Sequence, residues 1–165
     1  MIIRDIKIED AEQFLSMMLA LDNETKMMML EPGERISDLK SIESMIKNRL
    51  DHSNFFMIAE HKNELIGFMT ADRGQYNRIK HTAYIVIGIR EKYRGLGIGT
   101  KFFEELNKWA LKNSITRLEL TVVTSNQPAL HLYQKCGFTI EGTKKNSMIV
   151  DGTYVDEYYM AKLLE

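Results

Sequence analysis

Three alternating glycines, Gly95, Gly97 and Gly99, interrupt the chain between two apolar segments. The segment before them, Tyr84 to Ile89, is rich in β-branched residues and predicts a strand that is buried on both faces. The segment after them, from Thr100 to about Lys112, repeats apolar side chains at helical spacing and predicts an amphipathic helix. The connection between strand and helix therefore exposes backbone rather than side chains.

The predicted helix has no Ser, Asp or Asn at its start to cap its first N–H groups. Free N–H groups, the positive end of the helix dipole and Arg94 together predict a site for phosphate or pyrophosphate. A tight turn without a ligand is the simpler interpretation of the glycines alone. A nucleotide P-loop is excluded because no Lys-Ser/Thr pair follows the required glycine spacing. A dinucleotide-binding turn fits poorly because Thr100 occupies the place of its third glycine.

Length and composition indicate one globular domain that spans residues 1–165. Hydrophobic residues make up 44% of the chain and charged residues 27%, and the formal net charge is −1. This balance predicts no general attraction to nucleic acid or to a membrane surface. The single cysteine, Cys136, excludes an internal disulfide and fits a reducing cytoplasm. The sequence has no apolar run of membrane-spanning length and no signal-peptide layout at its start.

Hydrophobic periodicity along the chain predicts the element order β-α-α-β-β-β-α-β-α-β-β. The unit from Ile85 to Val123 should be a right-handed parallel crossover, and the other connections should be antiparallel. We therefore expect an α/β fold with a mixed sheet of about seven strands and helices on both faces. The last six strands are predicted at Phe55–Glu60 with Leu65–Ala71, about Ile79–Ile89, Leu118–Val122, and Phe138–Gly142 with Tyr154–Leu163 around an Asp151-Gly152 turn.

Two segments resemble the signatures of the GCN5-related N-acetyltransferase (GNAT) family. Arg94-Gly-Leu-Gly97-Ile-Gly99 follows an apolar strand and matches the family's acyl-CoA pyrophosphate loop, Arg/Gln-x-x-Gly-x-Gly/Ala. The stretch Asn126–Phe138 is similar to the second family signature. The resemblance covers nearly the whole chain and is weakest between Met27 and Ser37. It implies a three-layer GNAT fold with a central, mostly antiparallel mixed sheet.

The resemblance also implies an N-acetyltransferase that uses acetyl-CoA as co-substrate and acetylates a primary amine by direct attack in a ternary complex. The pantetheine arm would lie along the backbone of Ile87 and Ile89 like an added strand. Asn126, which could equally serve only as a helix cap, would bond the pantetheine amide, and Ala129 would permit close approach. The pyrophosphate would meet the backbone of Arg94, Gly95, Gly97, Ile98, Gly99 and Thr100.

For the chemistry, the resemblance implies that the backbone N–H of Ile87 stabilises the oxyanion and that Tyr133 acts as general acid for the departing thiolate. The general base stays open between His81 and a water chain that ends in a carboxylate. Glu31 and Glu34, together with Glu24, could attract a cationic acceptor from the irregular segment, although surface carboxylates are usually solvated.

Two other functions remain open at this point. An acyl-CoA-binding sensor would keep the glycine connection but transfer nothing, and a dinucleotide enzyme would bind NAD(P). The histidines and Cys136 show no metal-ligand spacing, so we expect no metal. We expect no nucleic-acid or membrane partner, because the aromatic residues near the C-terminus are typical of sheet packing. A homodimer is an expectation from the resemblance, and the acceptor, a small molecule or a peptide, is not identified by the sequence.

Overall fold

A mixed seven-stranded sheet forms the middle layer of the computed structural model, which describes residues 1–165. Its spatial order is β1-β2-β3-β4-β5-β7-β6, and only β4 and β5 run parallel. The predicted mixed, mostly antiparallel sheet is therefore confirmed. The strands are β1 (Ile2–Asp5), β2 (Phe55–His61), β3 (Glu64–Arg73), β4 (Thr82–Ile89), β5 (Arg117–Val123), β6 (Thr139–Val150) and β7 (Thr153–Leu163).

Four α-helices form the outer layers, so the predicted three-layer arrangement is confirmed as well. They are α1 (Ala11–Glu24), α2 (Leu39–Asp51), α3 (Ile98–Lys112) and α4 (Gln127–Lys135). Helices α1 and α2 pack on one face of the sheet, where Phe14 of α1 meets Phe56 and Phe68 edge-on. Helices α3 and α4 pack on the other face. No helix is both long enough and apolar enough to cross a membrane.

The main core lies between the sheet and α3, and it explains why α3 forms where it does. Phe102, Phe103 and Leu106 recur at helical spacing and are at most 2% exposed. They pack against the alternate residues of β5 that point to the same side, such as Leu118 and Leu120. Each such side chain contributes about 1.5–3 kcal/mol on burial, so α3 is held firmly against this face of the sheet.

Three element boundaries differ from the sequence predictions. Strand β4 begins at Thr82 rather than near Ile79, because the Ile79 carbonyl closes a turn by accepting from the Thr82 N–H at 2.9 Å. Helix α3 begins at Ile98 rather than Thr100. Strand β6 continues to Val150, well beyond the predicted Phe138–Gly142, because a bulge carries it through a polar segment without apolar alternation. The predicted hairpin turn at Asp151-Gly152 is confirmed, with positive φ at both residues.

The prediction that Tyr84–Ile89 is buried on both faces was wrong. Tyr84 is 41% exposed and Val86 is 39% exposed. The reason is that α1 and α2 lie mainly over β2 and β3 and leave most of the neighbouring strands uncovered, although Leu21 of α1 reaches β4 at Gly88. The uncovered side of β4, β5, β7 and β6 is called the open face below, and it carries Tyr84, Thr121 and Tyr159.

Candidate acetyl-CoA and acceptor site

The sheet opens between its two central strands. Strands β4 and β5 pair over only three residues each, and the last pair is Tyr84 with Glu119. Beyond that pair β4 continues along β3, and β5 continues along β7. The residues 85–89 and 120–123 therefore border an opening between the two strands, which we call the gap.

Backbone groups of β4 face this gap at alternate residues. The Arg90 N–H donates to the Ile66 carbonyl of β3 at 2.9 Å, so the even-numbered residues of β4 are those that bond to β3. The odd-numbered residues turn their N–H and C=O groups the other way. Ile87 and Ile89 thus direct main-chain donors into the gap, where no strand pairs with them.

A row of unpaired N–H groups lies where the chain leaves β4 and enters α3. None of the six N–H groups from Gly95 to Thr100 donates to a protein acceptor, and the first bond of the helix runs from Lys101 to the Gly97 carbonyl at 3.2 Å. Gly97, the N-cap residue, has φ +81° and no side chain to satisfy these donors. The row coincides with the positive end of a 15-residue helix, which makes it a site for an anion.

The three glycines of this connection serve different purposes. Gly95 and Gly97 have φ values of +74° and +81°, a region that L side chains rarely adopt, and a Cβ at either position would meet nothing within 4 Å. At Gly99 a Cβ would lie 2.5 Å from Cδ2 of Leu132 on α4. The first two glycines therefore shape the row of donors, and the third lets α4 pack closely against the start of α3.

Arg94 is positioned by the strand that it follows. Its Nε donates to the carbonyl of Ile89 at 3.0 Å. This bond satisfies one carbonyl that points into the gap and holds the guanidinium beside the unpaired N–H groups. A positive charge at that place adds to the attraction that the helix start exerts on an anion.

Helix α4 borders the gap on the side of β5. Asn126 caps it, because the Asn126 Oδ1 accepts from the Ala129 N–H at 3.4 Å. The cap uses only the oxygen of this side chain, and its amide nitrogen has no protein partner. The capping interpretation of Asn126 is thus correct, and a free donor remains for a second role.

Tyr133 is buried on the same helix with an unoccupied hydroxyl. Its ring is 8% exposed and lies 5.9 Å from the ring of Phe103 and 6.2 Å from that of Phe138. The hydroxyl has no hydrogen-bond partner in the protein. Asp72 Oδ1 is the only fully buried side-chain oxygen that lacks a partner, so the Tyr133 hydroxyl must retain some accessible surface. Burial raises the pKa of the Tyr133 phenol, and the nearby Tyr84 raises it further. The phenol is therefore protonated at neutral pH and available as a donor.

On the open face, the Tyr84 hydroxyl lies 2.8 Å from Oγ1 of Thr121 and so bridges β4 and β5 at the point where they separate. A cavity of about 300 Å³ adjoins this bridge. Within it, Arg117 binds the carboxylates of Glu119 and Glu141. The cavity is lined by Tyr84, Arg117, Glu119, Leu120, Thr121, Glu141, Tyr159 and Met160.

Residues 18–138 match the sequence model of the acetyltransferase (GNAT) family, which is nearly three quarters of the chain. The chain belongs to this family. The L-amino acid N-acetyltransferase AaaT of Escherichia coli is 35% identical over 104 residues, which are 61% of this chain and 62% of AaaT. Spermidine N(1)-acetyltransferase of E. coli is 28% identical over 142 residues, 81% of this chain and 72% of that protein. The chain thus matches less than two thirds of AaaT.

Solved structures agree on the fold. A GNAT acetyltransferase from Streptococcus pneumoniae superimposes with a TM-score of 0.94 at 28% identity, over 99% of both chains. A second solved structure of the same fold, the acetyltransferase yncA of Salmonella typhimurium with its cofactor acetyl-CoA, gives a TM-score of 0.88. Its identity is 15%, and it covers 99% of this chain and 94% of its own. The predicted family and the predicted fold are therefore confirmed.

The GNAT fold does not bring His81 to the gap. His81 is exposed in the turn before β4, and its carbonyl accepts from the N–H groups of Thr116 and Arg117. It precedes Ile87 by six residues, which is about 20 Å along an extended strand. This distance argues against His81 as the general base. No group of three or more His, Cys, Asp or Glu side chains is arranged to hold a metal ion.

The three glutamates of the irregular segment have different surroundings. Glu31 and Glu34 are exposed, and Glu34 Oε1 accepts from the Glu31 N–H at 2.7 Å, which stabilises a local turn. Glu24, at the end of α1, accepts from Arg90 Nε at 2.8 Å and from the Glu91 N–H at 2.9 Å. Burial alone would raise the pKa of Glu24, but these bonds lower it. Glu24 thus anchors the connection between β4 and α3.

One contact that defines the open face has no signal in the sequence. Lys26 Nζ, just after α1, lies 2.7 Å from Asp151 Oδ2 in the turn between β6 and β7. Arg35, which is half-buried, donates two hydrogen bonds of 2.7 Å to the buried carboxylate of Asp22 and fastens the later part of the same segment to α1. The segment between α1 and α2 therefore extends from α1 to the far hairpin, along one end of the open face.

Proposed function

We propose that this chain is an acetyl-CoA-dependent N-acetyltransferase that transfers the acetyl group to a primary amine by direct attack in a ternary complex. The row of six unpaired N–H groups from Gly95 to Thr100 carries the proposal. A row of this kind at a helix start fits a diphosphate, because without an anion only water is left to satisfy those donors. Membership in the GNAT family and the acetyl-CoA of the Salmonella relative support the same ligand.

The cofactor-binding residues follow from this placement. The diphosphate of acetyl-CoA would bind the N–H groups from Gly95 to Thr100 with Arg94 beside it. The pantetheine arm would enter the gap, pair with the free backbone of Ile87 and with the Ile89 N–H, and accept a hydrogen bond from the unpaired amide nitrogen of Asn126. Ala129, one turn into α4, offers only a methyl group at this wall and so leaves room for the arm.

The Ile87 N–H would stabilise the developing oxyanion. It is a main-chain donor on a strand that β3 holds rigidly on its other side, so it needs no rearrangement as charge develops. A backbone donor of this type contributes about 3–4 kcal/mol to lowering a barrier in acyl transfer.

Tyr133 would donate to the departing sulfur. Its raised pKa keeps the phenol protonated, and its hydroxyl has no competing protein partner. Because α4 is capped and its inner face is packed, the hydroxyl is held in one position. General-acid assistance of this kind contributes about 100-fold or more to a rate.

The acceptor amine would approach from the open face, because α3 and α4 close the other face of the sheet. Two relatives that acetylate different amines, an L-amino acid and spermidine, support a small-molecule amine as the acceptor class. Glu31 and Glu34 would attract a cationic acceptor at longer range. A homodimer stays a prediction.

Two assays with the wild-type chain test this function. Titration calorimetry should show saturable binding of acetyl-CoA and of CoA, and no binding of NAD. Release of free CoA, followed with a thiol reagent across L-amino acids, spermidine and short peptides, should depend on one class of amine. Binding of acetyl-CoA without CoA release from any amine would favour the acyl-CoA sensor. Absence of acetyl-CoA binding would contradict the proposal altogether.

A further inference from the structure

The acceptor side of the gap needs a group that binds an ammonium ion and takes its proton, because a lysine-like ammonium has a pKa of about 10.4. Strand β4 offers none, since its open-face residues are Tyr84, Val86 and Gly88. His81 is too distant, as described above. Such a group must therefore come from the strands on the other side of the gap.

The strand register identifies one carboxylate at the right level. Leu120 and Val122 of β5 point into the main core, so Val123 points to the open face. Glu157 of β7 pairs directly with Val123 and shares its face. Counting from the last pair of β4 with β5, Val123 is level with Gly88, one residue beyond Ile87. Glu157 is thus level with the proposed oxyanion donor, one strand beyond the gap.

A bulge in the edge strand orients this carboxylate. Between the pairs Lys144–Glu157 and Met148–Val155, β6 advances four residues while β7 advances two. Asp156 stabilises the bulge, because its carboxylate accepts from the Asn146 N–H at 2.8 Å. The distortion brings Ser147 Oγ within 2.9 Å of Glu157 Oε1. Bulges are common next to active sites, where they redirect side chains.

Glu157 also differs from the other carboxylates near the open face, because it has no cation of its own. It is half-buried, its one protein donor is the neutral hydroxyl of Ser147, and no Lys or Arg nitrogen lies within 4.0 Å. Lys144, directly across on β6, forms no ion pair with it. The other carboxylates are paired: Glu119 and Glu141 with Arg117, Asp72 with Arg49, Asp151 with Lys26, and Asp156 with Lys145.

We propose that Glu157, oriented by Ser147, binds the ammonium group of the acceptor and takes its proton before attack. This role rests on the proposed acetyl transfer and adds the residue that the sequence left open. A half-buried carboxylate without a cation favours a cationic ligand, because pairing replaces the solvation that burial removed. Glu157 lies one strand spacing, about 5 Å, from the β5 edge of the gap and at least two spacings, about 10 Å, from Ile87. An amine in the gap is therefore within the reach of the glutamate side chain or of one intervening water.

The ammonium passes one proton to the Glu157 carboxylate, and the freed lone pair forms the C–N bond at the acetyl carbonyl carbon. The C–S bond breaks, its electron pair goes to sulfur, and Tyr133 gives sulfur a proton. The nitrogen sheds its second proton to water as the amide forms. Glu157 returns its proton to water and Tyr133 regains one, so each turnover releases one proton.

Four variants test the assignment. The probe is the amine, among the L-amino acids, spermidine and short peptides, that gives the highest rate with the wild type. Glu157→Gln removes the charge but keeps an oxygen for Ser147, and it should lower kcat/KM for the amine about 100-fold. Glu157→Asp keeps the charge, and its kcat/KM should be at least about tenfold higher than that of Glu157→Gln. Ser147→Ala should lower kcat/KM only several-fold. Glu104→Gln, an exposed carboxylate on α3, is the control for lost charge and should match the wild type.

Calorimetry with acetyl-CoA and thermal melting accompany each variant, and both should be unchanged in Glu157→Gln. A Glu157→Gln rate within about threefold of the wild type would overturn the assignment, as would a Glu157→Asp variant no better than Gln. A parallel loss of acetyl-CoA affinity would overturn it too, since it would indicate a structural role. The wild-type assay separates the two proposals, because failure of acetyl transfer itself appears there, before any substitution.

Discussion

Helices α3 and α4 begin on opposite sides of the gap, and their first turns are built in opposite ways. At α4 the Asn126 side chain caps the Ala129 N–H, and Pro128 contributes no N–H that needs a partner. At α3 the N-cap is Gly97, which has no side chain, and the N–H groups from Gly95 to Thr100 are all unpaired. The start of α4 is thus capped by the chain's own residues, whereas the start of α3 is not.

This contrast indicates which part of the molecule is shaped for a ligand. A side-chain cap contributes about 1 kcal/mol to stability, and α2 has one as well, from Asp38 to the Lys40 N–H. Helix α3 therefore lacks a stabilising contribution that α2 and α4 both have. Binding an anion there would recover that stability, whereas α4 is already fixed and can hold Tyr133 in one position.

The largest effect is expected at Tyr133 on the self-capped helix. Tyr133→Phe should lower kcat about 100-fold, because the hydroxyl no longer assists the departing thiolate. The melting temperature and the acetyl-CoA affinity should stay unchanged, because this hydroxyl bonds to no protein group. Steady-state kinetics at saturating amine, calorimetry and melting measure the three quantities. An unchanged kcat would mean that α4 supplies no catalytic group.

A smaller effect is expected when α3 is given an acidic side chain at its start. Leu96 is 63% exposed and directly precedes the N-cap, so Leu96→Asp adds a carboxylate that competes for the free N–H groups. The acetyl-CoA dissociation constant should rise about 30-fold, and stability should rise by about 0.5 kcal/mol. Leu96→Asn, which adds a neutral side chain of the same shape, is the matched control and should change affinity much less. Equal affinities for both variants would mean that no anion binds there.

The smallest effect is expected at the start of α4. Asn126→Asp keeps the capping oxygen and removes the amide donor, so stability should hold while acetyl-CoA affinity falls about fivefold. Asn126→Ala removes both and should also cost about 1 kcal/mol of stability. Denaturant unfolding and calorimetry separate the two contributions. If the Asp variant binds acetyl-CoA as well as the wild type, Asn126 is only a cap.

Local chemistry explains why the sequence predicts the glycine connection so well. The row of unpaired donors follows from nearby residues alone: an apolar strand, glycines at alternate positions and the absence of a capping side chain. The element order was also predictable, because most strands and helices keep their hydrophobic period. Strand β6 was too short in the prediction because residues 143–147 are polar and the bulge breaks the alternation.

Features that depend on distant pairing could not be predicted. The exposure of Tyr84 depends on where α1 and α2 come to lie, which the apolar character of β4 does not reveal. His81 is close to Ile87 in sequence but about 20 Å away, because the chain between them is extended. Glu157 is recognisable only after the register of β7 with β5 and of β6 with β7 is known.

The central claim is that the N–H groups from Gly95 to Thr100 bind the diphosphate of acetyl-CoA. Titration of ¹⁵N-labelled protein with acetyl-CoA, followed by two-dimensional NMR, observes these groups directly. We predict that the amide signals of residues 95–100 show the largest shifts and move downfield, as expected for new hydrogen bonds to phosphate. Saturable binding that leaves those signals unmoved and shifts another region would contradict the account.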